Sequence, residues 1–69
     1  MAESVYKIIE LVGSSPVSWE KAAKAAVQRA SSTLKDLRIA EVVAMDIHLD
    51  DKKVLAYRVR LKVSFKHQG

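Results

Sequence analysis

No cysteine occurs in the 69 residues, which excludes disulfide staples and thiolate zinc sites. Two histidines, His48 and His67, are too few for a structural zinc site without carboxylate help. Glycine is nearly as scarce, with two residues, and "ELVGSSP" holds only one of them. That stretch reads as a turn and not as a loop that cradles phosphate. No apolar run approaches the roughly 18 residues of a membrane-crossing helix. The opening "MAESVYKIIELVG" lacks the basic start and long apolar stretch of a signal peptide, so a cytoplasmic protein is expected. No Ser/His/Asp array, nucleophilic cysteine or pair of catalytic carboxylates is present. The chain is read as a non-enzyme.

What remains has ordinary globular composition, 49% hydrophobic and 29% charged, with a formal net charge of +4. The positive excess favours anionic partners in general and names none. At this length residues 1–69 make one domain. Such a domain buries only about 60% of its unfolded surface, and its core supplies roughly 3–5 kcal/mol. With disulfides and metal staples excluded, self-association is the expected route to stability.

Periodicity divides the chain into four elements. Residues 4–12, "SVYKIIELV", are short and rich in β-branched residues, and a strand is expected there, stopped by a turn at Gly13. From Pro16 to about Leu37 the period becomes helical. Ser15 or Ser18 can cap that helix, Pro16 suits its first position, and Glu20 favours the positive end of its dipole. Ala22, Ala23, Ala25, Ala26, Val27, Ala30 and Leu34 form an apolar stripe of mostly small residues, which lets a curved sheet approach closely. Lys21, Lys24, Arg29 and Lys35 fall mainly on the other side.

Residues 39–50 alternate, with Val43, Met45, Ile47 and Leu49 on one face and Ala44, Asp46, His48 and Asp50 on the other. A third strand is expected over about residues 54–66. If Asp51, Lys52 and Lys53 form a three-residue loop, Ile47 faces Tyr57, Met45 faces Val59 and Val43 faces Leu61. The same register sets Asp46 opposite Arg58 and Ala44 opposite Arg60. A slip of one residue would pair apolar with charged throughout, so the hairpin is strongly specified. A helical crossover makes the first two strands parallel, and an all-antiparallel sheet then requires the third strand between them. The expected fold is α+β: β-α-β-β, with an antiparallel sheet of order 1-3-2 wrapped around one helix.

Three constellations carry chemical possibilities. The stretch "AYRVRLKVSF" puts Arg58, Arg60 and Lys62 on one strand face, with Tyr57, Val59, Leu61, Val63 and Phe65 on the other. Nucleic-acid surfaces combine positive charge with exposed stacking aromatics. Here the aromatics lie on the apolar face, and Asp46, Asp50 and Glu10 can balance the cations, which argues against nucleic acid. A solvated sheet face is the plain reading, and a pocket or an interface the sharper one. Asp46, His48 and Asp50, followed by Asp51, offer oxygen donors of the kind calcium takes, too few in one chain unless symmetry mates add more. Trp19, in the first turn of the helix, reads as a packing anchor or an interface contact.

Read in order, "VYKIIELVGSSP", the "AAVQRA" of the helix, "LRIAEV" and "YRVRLKVSF" resemble the dodecins over about residues 5–66. The resemblance implies a hollow, cubic-symmetric homododecamer, each sheet wrapped around its own helix. It also implies flavin binding or storage, in which a tryptophan two residues before the "EV" stacks on the ring. A glutamine after the tyrosine of the last strand then bonds the ring's polar edge. Ile39 and Arg58 occupy those two positions here. Ile39 has no π-face and Arg58 has donors but no acceptor, so ordinary flavin binding is not expected. "SPVSWE" at residues 15–20, Arg38 with Ile39, and "SFK" at residues 64–66 resemble a subgroup described as calcium-binding. The expected function is non-enzymatic binding or storage of a divalent cation, calcium, or of a small ligand. The candidate ligand residues are Ile39, Arg58 and Asp46, and the candidate metal ligands Asp46, Asp50 and Asp51. A flavin carrier with an altered pocket is the alternative.

Overall fold

The computed structural model describes residues 3–67 as β1 (Tyr6–Ser15), α1 (Trp19–Ser31), β2 (Leu37–Asp50) and β3 (Lys53–Lys66). Both strand pairs are antiparallel and the sheet order is β1-β3-β2, as the crossover argument requires.

The helix is shorter at both ends than its apolar period suggests. Ser18, with extended backbone, is the N-cap, and its Oγ accepts from the Lys21 N–H at 3.1 Å. Pro16 therefore lies in the preceding turn. Ser15 serves that turn too, its Oγ accepting from the Val17 N–H at 3.0 Å. At the far end "SST" stops the helix at Ser31 instead of about Leu37. The hydroxyls of Ser31, Ser32 and Thr33 donate back to the carbonyls of Gln28, Arg29 and Ala30, satisfying groups that further helical turns would have used. The buried stripe narrows to Ala22, Ala26 and Ala30 at a spacing of four, with Ala23 and Val27 half-buried and Ala25 exposed.

β1 is displaced from its expected span. It runs through Gly13, which is paired with Val59, and ends at Ser15. Gly13 is not a turn: it is where the helix crosses the strand. A Cβ there would collide with the Ala22 carbonyl oxygen and lie 3.0 Å from the Ala26 Cβ.

The core is small. Val59, Leu61 and Val63, each 1% exposed, pack against Ala22 and Ala26, with Ile9, Leu11, Trp19, Ala23 and Leu37 at its margin. The helix is about 20 Å long at 1.5 Å per residue, whereas a 14-residue strand reaches about 46 Å. The molecule measures 55 × 20 × 15 Å. The β2–β3 hairpin thus runs well beyond the helix that covers its base.

The hairpin turn has two residues, Asp51 and Lys52, since Asp50 pairs with Lys53. Asp51 takes the left-handed backbone (φ 56) that aspartate tolerates better than most residues. Register shifts lie between Leu37 and Ile39, between Val42 and Ala44, and between His48 and Leu49. Such bulges bend a strand and raise its twist, which lets a sheet curl around a helix. The bulge at Val43 sets Val42 opposite Leu61, the place expected for Val43.

Candidate functional site

The two faces of β3 divide the chain's chemistry. Val59, Leu61 and Val63 point at the helix, and Arg58, Arg60 and Lys62 at the opposite, outer face. On that face each cation has a different surrounding. Arg58 pairs in register with Asp46, and its Nε–H and Nη2–H donate to the two carboxylate oxygens at 2.7 and 2.9 Å. Lys62 is bracketed by Glu10 on β1 and Glu41 on β2. Arg60 is bracketed by Val12 and Ala44.

Asp46 is held from two sides. Its carboxylate takes the Arg58 fork, and its backbone carbonyl accepts from Trp19 Nε1–H at 3.1 Å. Trp19 also meets Tyr57 edge-on, with ring centroids 5.0 Å apart. Trp19 therefore anchors the start of the helix to the middle of the hairpin, the packing role expected for it.

The hydrogen bond from Arg58 is the main reason the Asp46 carboxyl lies below its ordinary pKa, and the charges of Arg58, Arg60 and His48 add to it. The Arg58 guanidinium is raised in turn by the same bond. Because the folded pKa of Asp46 is depressed, the stability it contributes is present above the unfolded value. It is lost as the pH falls through the folded value, below about pH 4. Both side chains are about half exposed, so the effect is screened and small. Asp46→Asn is expected to flatten the acid limb of a thermal-melt profile below about pH 4 and leave neutral pH almost unchanged. An identical acid limb in wild type and variant would show that the pair does not form.

The structure brings Asp46 and Arg58 together and leaves the other candidates apart. Ile39 pairs with Ser64, six positions from Arg58 along β3, or about 20 Å at about 3.3 Å per residue. It is 67% exposed, and its backbone N–H donates to Ser64 Oγ at 3.3 Å. Asp50 pairs with Lys53 at the hairpin end, and Asp51 makes the turn. Among the described residues of one chain, no three His, Cys, Asp or Glu side chains gather to hold a metal ion. Asp50 thus lies opposite Lys53 and not the basic row. Glu41 takes that place, a residue that sequence reasoning missed because only the bulge at Val43 turns it toward Lys62.

Two recesses flank this surface. One of about 350 Å³ between β1 and α1 is lined mainly by Ile9, Leu11, Ala26, Ala30 and Leu34, with Arg29, Ser14 and Thr33 as its polar groups. The other, about 140 Å³, lies on the outer face among Val12, Ala44, Met45, Asp46, Arg58 and Arg60. The smaller one holds the Asp46–Arg58 pair and Arg60.

A sheet of order β1-β3-β2 clasping one short helix, with that outer face, has clear relatives. The sequence profile described as Dodecin matches residues 5–68. The chain belongs to the dodecin family. It is 49% identical over 63 residues to calcium dodecin of Mycobacterium tuberculosis, covering 91% of this chain and 89% of that one. The crystal structure of that calcium-chelating antigen, described as having a novel calcium-binding site, superposes with a TM-score of 0.85 at 48% identity. Coverage there is 94% of this chain and 93% of the other. Dodecin from Streptomyces coelicolor superposes with a TM-score of 0.94 at 35% identity, over 100% of this chain and 99% of that one. Among the described residues no helix of this dodecin is long and apolar enough to cross a membrane.

Proposed function

We infer that this dodecin is a non-enzymatic, cytoplasmic homododecamer that binds and stores a divalent cation, calcium, through the outer face of its sheet. The observation that carries the reading is the exposed Asp46 carboxylate on that face, in a chain 49% identical to a calcium dodecin. Calcium takes 6–8 oxygen ligands, so one chain's aspartates do not complete a shell. Copies related by symmetry supply the rest, with Asp50 and Asp51 as the other donors from each chain. Self-association is supported by apolar side chains the chain leaves open, among them Val43, Met45, Ile47 and Leu49 on β2.

Native mass spectrometry of the gently purified protein tests the assembly, and calorimetric titration with calcium tests the site. Asp46→Ala is expected to weaken calcium binding by about tenfold or more while the twelve-chain mass persists. Unchanged affinity would remove Asp46 from the site, and a monomeric wild-type mass would remove the shell.

The alternative is a flavin carrier with an altered pocket, in which Arg58 pairs with an anionic flavin or a phosphate. Less supports it, because Ile39 offers no stacking face where the dodecin resemblance implies a tryptophan. Quenching of riboflavin fluorescence by the wild-type protein, removed in Arg58→Ala, would favour this reading over calcium.

A further inference from the structure

Arg60 is the cation of the basic row whose register partners on both sides carry no charge. Arg58 has Asp46, and Lys62 has Glu10 and Glu41, whereas Arg60 lies between Val12 and Ala44. Among the described residues neither Arg60 nor Lys62 makes an ion pair or hydrogen bond through its side chain, so what sets Arg60 apart is its uncharged neighbours. A solvated arginine is commonplace, and the surroundings of this one are not. It lines a recess of about 140 Å³ together with Val12, Ala44, Met45, Asp46 and Arg58.

Arg58 lines the same recess. Arg58 engages Asp46 side-on through Nε and Nη2, which leaves Nη1 without a protein acceptor among the described residues. Asp46 is the carboxylate in the wall, and each of its oxygens already accepts from Arg58. The charge left in the recess is that of one arginine, with donors from two.

We propose that this recess is an oxyanion site, in which Arg60 holds a small tetrahedral anion of the phosphate or sulfate type by its planar fork and Arg58 Nη1 adds a further donor. Guanidinium groups match such oxyanions bidentately. The size selects a small ion, because pockets for nucleotide- or flavin-sized ligands start at about 300 Å³. Asp46 is also a ligand in the calcium reading, so the two readings share that wall and are separated by titrating each ion.

The test is calorimetric titration of the assembled wild-type protein with inorganic phosphate, at constant ionic strength set with sodium chloride. Saturable binding at one ion per chain is expected. Arg60→Gln should weaken it by tenfold or more. Val12→Glu, which keeps Arg60 and gives it the carboxylate neighbour that Lys62 already has, should weaken it comparably. Lys62→Gln should change it less than twofold. No saturable binding by the wild type overturns the site, and so does an Arg60→Gln or Val12→Glu protein that binds as tightly as wild type. Equal losses in Lys62→Gln and Arg60→Gln would show diffuse charge and overturn it as well. If Arg60→Gln does not fold, the Val12→Glu result decides. A calcium titration of the same samples reads the cation site separately, so either site can fail alone.

Discussion

Gly13→Ala is expected to destabilise the fold by about 3 kcal/mol, the upper end of what overpacking costs. The added methyl has no room, since it would collide with the Ala22 carbonyl oxygen and approach the carbonyl carbon to 2.8 Å. A flexible side chain could swing away, but the obstacle is helix backbone held by its own hydrogen bonds. Relief requires α1 to lift off β1, opening the contact between Ala22, Ala26 and the core valines. A domain of this size has roughly 3–5 kcal/mol from its core, so the loss is a large share of the total. Urea denaturation at one fixed protein concentration reads the effect, because assembly makes apparent stability concentration-dependent. An unchanged midpoint would mean that strand and helix do not cross this closely.

That glycine also shows where sequence reasoning stops. A lone Gly before "SSP" carries the same letters whether it makes a turn or admits a helix, and only the tertiary contact separates the two. The helix end has the same character. "SSTL" continues the apolar period, but three hydroxyls compete for the terminal carbonyls and close the helix at Ser31. Topology was legible because it follows from two constraints, the helical crossover and the regular alternation of β3.

The pairing of Asp46 with Arg58 was legible for a subtler reason. The loop has two residues where three were expected, and a bulge beside Leu55 restores the count, so His48 to Ala44 meet their expected partners. The second bulge, at Val43, has no such compensation. It brings Glu41 opposite Lys62, while Arg60 keeps Ala44, as expected without the bulge, and Val12 as its partners. Alternation in sequence reports which residues share a face only between bulges. It carries no signal for the bulge itself, whose place is set by how tightly the sheet must curl.

The reach of the hairpin beyond its helix leads to the other large expected effect. Leu49 is 58% exposed, Val54 49% and Leu55 47%, and α1 starts beside Tyr57 and runs away from the hairpin tip, so it covers none of them. Burying a leucine side chain is worth about 1.5–3 kcal/mol, and in a closed shell each chain contributes that contact once. Leu49→Asp replaces the gain with a charge that must be desolvated on assembly. For the proposed dodecamer the expected result is a native mass that falls to small species, with the far-UV circular dichroism of the strands and helix retained. Retention follows from the core, since Val59, Leu61 and Val63 lie at the other end of β3 under the helix. A dodecamer that survives Leu49→Asp would show that the hairpin tip stays in solvent, and the burden of assembly would pass to the apolar groove between β1 and α1. Loss of both mass and secondary structure would show instead that this chain does not fold outside its shell, which a core of three large buried side chains makes a physical possibility.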